Sequence, residues 1–475
     1  MFSHFWGMRV AAIVAAAASL SACRTFSPDG GMDTVAMVAG TGLNKDVVQI
    51  RSAEDEAAVR TRVRRLLHRP LSADAAVQIA LLNNLGLQAA YNRLGIAEAL
   101  AVKASRPPAL SFSFSSVSTP VELDIERQII GSLLSLVTMP ARTRIAADEF
   151  AAAELRAAEE TLRVAAETRR AYVRAVAARE TVAALREIEE SAGASADLSK
   201  ELKRTGAVNA LDQARQQVFA TEIGAELAGA RLRADAARER LTRVMGLWQT
   251  ELAATLPSAL PGLPGSIRST RAIEQEALNA RVDVQMARAE MEAMAKFYGL
   301  TRKTHFLNVV DAAGISKTQK DRGEKRADGG GYELVLEVPL FDFGKANVRE
   351  AEQRYLEAAN RLGQLGVNAA SEAREAYGAY RATYAIAKKY EGEVLPLHQT
   401  ISAETALQYN AMQIDAFALL DAARNRARAK VASIEAKRKF WLASADLSAA
   451  VLGGGGVASE PDVAIAATSS GTNSE

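Results

Sequence analysis

Two kinds of polarity pattern alternate along the chain, one with the period of a helix and one with the period of a strand. Ser72 is a plausible N-cap for a helix that continues through AVQIALLNNLGLQAAYNRLGIAEALAVKA and stops before Pro107-Pro108. In ALSFSFSSVS, Leu110, Phe112 and Phe114 alternate with serines, a half-buried strand pattern. A short polar segment, TPVELDIE, follows, and Gln128–Met139 is a second strand candidate that ends at Pro140. From Ala141 to about Arg204 there is no proline, and Gly193 is the only glycine. One helix of that length would reach roughly 95 Å. Thr205-Gly206-Ala207-Val208-Asn209 reads as a turn, and a second helix runs from Ala210 to about Met245.

After a connector at 251–270 holding Pro257, Pro261 and Pro264, the pattern recurs. A helix spans about 271–298, a strand candidate 304–313, and a polar Gly-rich tip GISKTQKDRGEKRADGGG follows. Tyr332–Val338 is a strand ending at Pro339, a long helix starts near Lys345, a break falls near Asn410–Asp415, and a last helix reaches Leu452. Asn84-Leu-Gly-Leu aligns with Arg281-Val-Asp-Val, and Pro140 with Pro339, both about 200 residues apart. The chain therefore divides into a first repeat at 71–250, with strands within about 109–139, and a second at 271–452, with strands within about 304–339. Residues 23–70 are polar and read as an irregular tether, and 453–475 as a disordered low-complexity tail.

Each repeat holds only two strands, and a lone two-stranded hairpin is marginal in water. About 9–11 tilted residues are enough to cross a bilayer as a barrel strand. Four strands per chain cannot close a barrel, whereas several chains together can. Tyr332, Leu334, Leu336 and Val338 share one face, and Glu333, Val335 and Glu337 the other. That suits a wall with lipid outside and water inside, although an amphipathic strand of a soluble sheet shows the same alternation. In the following helix, small or apolar residues at 348, 351, 355, 358, 362, 365 and 369 form a packing seam, either within a tube or in a plain solvated coiled coil.

Composition narrows the chemistry. With charged residues at 24% and a net charge of +2, the basic excess of a nucleic-acid-binding protein is missing. One cysteine and four histidines leave almost no material for a disulfide or a His/Cys metal cluster. There is no P-loop, no dinucleotide fingerprint and no HExxH, so the sequence calls for no cofactor and no catalytic site. His4, His68, His305 and His398 are scattered polar positions. Near the start, Arg9 is followed by VAAIVAAAASLSA and then Cys23. That run is too short to span a membrane and matches a signal-peptide core over residues 1–22. Leu20-Ser21-Ala22-Cys23 looks like a bacterial lipobox, which implies cleavage before Cys23 and acylation of its thiol, although an ordinary signal with a chance cysteine fits the run as well. Arg24 after the cysteine favours the outer membrane.

Over about residues 70–452 the sequence resembles the TolC-like outer-membrane efflux proteins, in their lipoprotein branch. The carriers are ALLNNLGLQAAYNRLGIAEA, the Pro-rich connector, VPLFDFG, and the turns RTGAVNALDQAR (204–215) and YNAMQIDAFALLDAAR (409–424). The resemblance implies a mainly helical chain that forms a homotrimer, with a twelve-stranded β-barrel in outer-membrane lipid and a periplasmic α-barrel. It implies an exit duct of an efflux or type I secretion system, docking through its hairpin turns to a periplasmic adaptor and an inner-membrane pump. Gly206, Asp212, Tyr409 and Asp415 fall in those docking turns. Asp421 matches the last acid of the family's D-V-L-D-A pattern and is a candidate for an aperture ring, or a plain solvated carboxylate. Ala418 replaces the first acid, and Met412 replaces the usual turn glycine, which predicts a more open second turn. A periplasmic adaptor or a structural coiled-coil lipoprotein is the alternative.

Overall fold

The computed structural model describes residues 25–120, 122–248, 255–268, 272–321, 323, 325–453 and 455. Cys23, the signal segment and all but Gly453 and Gly455 of the tail lie outside the described residues. The elements in order are α1 (Met32–Leu43), α2 (Ala53–Leu67), α3 (Ala73–Asn83), α4 (Leu85–Ala104), β1 (Ser111–Ser118), β2 (Glu122–Ser132), α5 (Leu133–Arg204), α6 (Ala210–Val244), α7 (Ile273–Ala280), α8 (Val282–Thr304), β3 (Val309–Asp321), β4 (Ala327–Glu337), α9 (Lys345–Lys389), a π-helical turn (Tyr390–Val394), α10 (Leu395–Asn410) and α11 (Ala416–Leu452).

Helix α5 runs for 72 residues, about 108 Å at 1.5 Å per residue. Its buried stripe is rich in alanine, including Ala152, Ala157, Ala158, Ala165, Ala175 and Ala184, and small side chains let neighbouring backbones approach closely. The core lies around the middle of this helix, where Leu162, Val164, Tyr172 and Val176 meet Val77, Leu81, Leu87 and Tyr91 of α3 and α4. A second cluster packs Tyr380 of α9 on Phe440 of α11, with ring centroids 5.4 Å apart. The seven seam positions on α9 are all buried or half-buried, and Tyr355 stacks on Tyr298 of α8 at 6.3 Å.

The helix breaks at Asn84 and Arg281 correspond. Both residues leave the helical region, with ψ of 113° and 123°, and both start the next helix. Asn84 accepts a hydrogen bond from the Leu87 N–H. Arg281 is only 6% exposed at its side chain and is clamped by Asp283 at 2.7 Å and Glu372 at 2.6 Å. It thereby fixes the α7–α8 corner against α9. The connector crosses the helices as a strap. Leu260 N–H donates to Glu180 on α5, the Trp441 indole of α11 donates to the Pro261 carbonyl, and Tyr384 of α9 donates to the Pro264 carbonyl.

Several sequence expectations need correction. Residues 25–70 are not an irregular tether. Helix α2 carries a capping box between Ser52 and Asp55, and Val35, Ala39, Val59 and Val63 are buried. Two buried glutamines hold the extended stretch between α1 and α2. Gln78 donates to the Asp46 carbonyl and accepts from its N–H, and Gln88 does the same with Val48 O and Ile50 N. Strand β2 covers 122–132 rather than 128–139, so the polar ELDIE stretch is strand and LLSLVTM is helix. Pro140 lies inside α5, about two turns from its start, and is not a strand terminator like Pro339. A short apolar run reads equally as strand or helix; the switch falls at Ser132, whose side chain caps α5 through Ser135 N–H. Likewise β3 covers 309–321, and most of the supposed Gly-rich tip is β3 and β4.

Candidate functional site: a two-faced sheet and two helical turns

The four strands form one antiparallel sheet in the order β1-β2-β3-β4, which leaves β1 and β4 as edges. The pairing register is unbroken, so alternate residues can be followed across all strands. One face carries Phe112, Phe114, Ile125, Ile129, Val310, Ala312, Tyr332, Leu334 and Leu336, and is the apolar face. The other carries Ser111, Ser113 and Ser115 on β1 and the acids Glu122, Asp124, Glu126, Asp311, Asp321, Glu333 and Glu337 on the remaining strands. Lys317 is the one basic residue there, and it pairs with Asp124 at 2.7 Å.

Every residue of β1 and β4 is exposed, on both faces, and large apolar side chains are among them. Phe112 is 75% exposed, Tyr332 91% and Leu334 55%. On the central strands Arg127, Ile129, Gly314 and Ser316 are exposed on the apolar face, while acidic-face positions such as Glu126, Gln128, Ala313 and Ile315 are buried or half-buried. Large exposed apolar groups gathered on one face, with the carboxylates gathered on the other, suit a lipid-facing wall. Exposed Leu133, Leu136, Val137, Phe306, Leu340 and Phe341 continue the apolar surface below the sheet. No helix among the described residues is long and apolar enough to cross a membrane, which says nothing about a barrel.

The joint from β4 to α9 is short because each residue has a local task. Asp342 accepts from Gly344 N–H at 3.0 Å and Ala346 N–H at 3.1 Å, which caps the helix and holds its carboxyl below the usual range. Gly344 has φ +71°, and a Cβ there would collide with the His305 carbonyl, so the strand enters the helix only with glycine at this point.

At the far end of the helices the two turns are built alike. In the first, Gly206 N–H donates to Lys203 O and Ala207 N–H to Leu202 O, with Gly206 at φ +78°. In the second, Met412 N–H donates to Tyr409 O and Gln413 N–H to Gln408 O, with Met412 at φ +56°. Both are Schellman caps. Each is followed by an Asx N-cap: Asn209 accepts from Asp212 N–H, and Asp415 from Ala418 N–H, both at 2.9 Å. The second turn is therefore as closed as the first. Met412 replaces the glycine in the same bonding and is 95% exposed. Leu211, Leu407 and Tyr409 are also exposed around the turns.

Asp212 and Asp421 lie on different hairpins. Asp212 stands 3.8 Å from Arg215, and Asp421 is exposed, accepting from Asn425. Between the hairpins runs a line of cross-contacts that the sequence reading did not single out. Arg424 of α11 stacks over Phe219 of α6 at 4.1 Å, Lys430 pairs with Glu187, and Lys437 meets Glu180 at 3.4 Å. The signal was the basic residues Arg424, Lys430 and Lys437 recurring at six to seven positions along α11. No group of His, Cys, Asp and Glu among the described residues could hold a metal ion.

Comparison by sequence finds no matching family profile and no matching curated protein. Comparison of structures finds channels. The outer-membrane channel OprN matches with a TM-score of 0.68 at 20% identity, over 82% of this chain and 92% of that one. The Campylobacter jejuni CmeC outer membrane channel matches at 0.68 and 18% identity, over 82% and 87%. The Vibrio cholerae outer membrane protein VceC matches at 0.64 and 18% identity, over 83% and 97%. Long helices joined to a four-stranded antiparallel sheet, in this order and over most of both chains, give this chain the fold of the TolC-like outer-membrane efflux channels.

Proposed function

We propose that the chain is one subunit of a passive outer-membrane exit duct for an efflux or secretion system. The observation that carries this is the sheet: apolar outside, acidic inside, with two free edges. Lipid cannot satisfy the backbone groups of a free edge, so β1 of one subunit pairs with β4 of the next. Three copies close a twelve-stranded barrel, and the helices continue it as a periplasmic tube. CmeC and MtrE, two solved structures with this fold, are outer membrane channels, which supports the same location here. The exposed turns around Gly206 and Met412 are the docking tips for a periplasmic adaptor, and through it for an inner-membrane pump that supplies the energy.

A lipid anchor at Cys23 fits the path of the N-terminal segment. Ser27 is tied to Glu98 through its N–H and its hydroxyl. Glu98 lies six residues before the end of α4, about 9 Å below it on the sheet side. Four residues from Ser27 back to Cys23 can span up to about 14 Å toward the bilayer. The test is to isolate outer membranes, show a heat-modifiable trimer and record its conductance in planar bilayers. A monomer that becomes water-soluble when Cys23→Ser removes the anchor would overturn the duct.

A further inference from the structure

The apolar face is not uniform. Its charged residues within the strands are Arg127, at the midpoint of β2, and Lys320 and Asp328, nearer the strand turns. Asp328 is engaged, accepting from Thr318 Oγ1 at 2.7 Å and from Arg326 Nε at 2.9 Å. Arg127 is exposed, in register with Phe114 on one side and Ser316 on the other, and Ser316 is in register with Gly330. Together with Arg326 the patch carries three cations against one carboxylate.

Beside Arg127 the wall is hollow. A shallow, open depression of about 680 Å³ is lined by Arg127, Ile129, Gly314, Ser316, Gly330 and Tyr332 of this face, with Ile315 and Gly331 of the acidic face also bordering it. The glycines are not forced by packing. A Cβ on Gly314 would meet nothing within 4 Å, and one on Gly330 would meet only Ile315 O at 3.8 Å. Their effect is to leave room beside the guanidinium.

The height of the hollow indicates what fills it. From Ser132 up to Arg127, five strand residues at about 3.3 Å each and a tilt of roughly 40° rise about 13 Å. The exposed Leu133, Leu136 and Val137 extend the apolar surface about 7 Å below. The apolar surface under Arg127 is thus about 20 Å tall, close to the about 25 Å band of a membrane barrel. A fixed charge is costly at the midplane but not at the head-group level. Arg127 stands at the head-group level of the leaflet farther from the helices, the outer one.

We propose that this hollow binds the phosphorylated head group of an outer-leaflet glycolipid. Arg127 holds the phosphate, its planar fork matching the oxygens, and Lys320, four residues along β3 from Ser316, adds positive charge nearer the strand turns. Ile129 and Tyr332 lie below and take the acyl chains. The inference rests on the barrel reading, since it needs the apolar face turned to lipid.

The test uses the wild-type trimer extracted in mild detergent, with bisphosphorylated lipid A or its dephosphorylated form added. The heat-modifiable band gives the midpoint of trimer dissociation. Bisphosphorylated lipid A should raise the midpoint and the dephosphorylated form should not. Arg127→Gln should weaken the effect about tenfold in lipid concentration. Gly314→Leu, which keeps every charge and fills the hollow, should weaken it too, and it decides the matter if Arg127→Gln fails to assemble. An equal shift with dephosphorylated lipid, or in Gly314→Leu, overturns the site. An equal shift with phosphatidylglycerol overturns the outer-leaflet assignment. Absence of any trimer from the outer membrane overturns the duct reading itself, and the site with it.

Discussion

Leu334 and Val335 are sequence neighbours on opposite faces of β4, and substituting each with arginine separates a membrane wall from a soluble sheet. Leu334 pairs with Ala312, is 55% exposed, and lies close to the middle of the apolar band. A fixed charge at the bilayer midplane costs about 2–4 kcal/mol per chain in a barrel. That is roughly a 30- to 1,000-fold loss in the insertion equilibrium at about 1.4 kcal/mol per tenfold. Val335 faces the acids and pairs with Asp311, so an arginine there meets water and a carboxylate. Its expected effect is within about 0.5 kcal/mol. The assay is urea-dependent unfolding of the barrel from lipid vesicles, with the outer-membrane trimer band as the cellular readout. Leu334→Arg must be the damaging change. If Val335→Arg were as harmful or worse, the acidic face would be the one in lipid, or the sheet would lie outside the membrane.

Other predictions follow from the turns and the core. Gly206→Val places a β-branched residue at φ +78° and should weaken crosslinking to the adaptor while leaving the trimer intact, whereas Met412→Gly should relieve about 1 kcal/mol of left-handed strain and slow proteolysis at the second turn. Loss of the trimer in Gly206→Val would make that turn a folding element. Arg281→Met leaves Asp283 buried without its partner and should cost about 3–5 kcal/mol in denaturant unfolding. A change below 1 kcal/mol would mean that water already reaches the pair. Burial, and then the charge of Asp283, raise the pKa of Glu159, so the folded state holds its proton more tightly than the unfolded chain. Ionising it costs stability as pH rises from the unfolded pKa through the folded one. Glu159→Gln should therefore raise the melting temperature at pH 7–8 and give no gain well below pH 4. A gain independent of pH would assign the effect to packing.

Much of the architecture is legible because it rests on period and punctuation. The absence of proline after Ala141 marks the body of α5, and Thr205–Asn209 and Asn410–Asp415 carry the two breaks. The strands were harder, since their usual cues are inverted. A strand pair with an acidic face and with Gly329, Gly330 and Gly331 in β4 reads as a polar tip; strand alternation puts Glu122, Asp124 and Glu126 on one face, and only the cross-strand register joins them to Asp311, Glu333 and Glu337. The N-terminal helices were hidden by charge, although Ser52-Ala-Glu-Asp already spelled a capping box. Met412 misled for a local reason: a non-glycine residue predicts an open turn, while the Gln413–Gln408 and Met412–Tyr409 bonds hold it in the left-handed region. The pairing of the hairpins through Arg424 and Phe219 joins residues more than 200 positions apart, which no local pattern encodes.

The most direct test of the wall is thiol labelling along β1 in intact outer membranes, with single cysteines at Phe112, Ser113, Phe114 and Ser115. Strand alternation places the two serines on the acidic face and the two phenylalanines on the apolar one. A membrane-impermeant cationic reagent should label Ser113→Cys and Ser115→Cys and spare Phe112→Cys and Phe114→Cys, which a lipid-soluble reagent should label instead. Equal labelling of all four by the impermeant reagent, or the reverse alternation, would contradict a water-filled barrel with its apolar face in lipid.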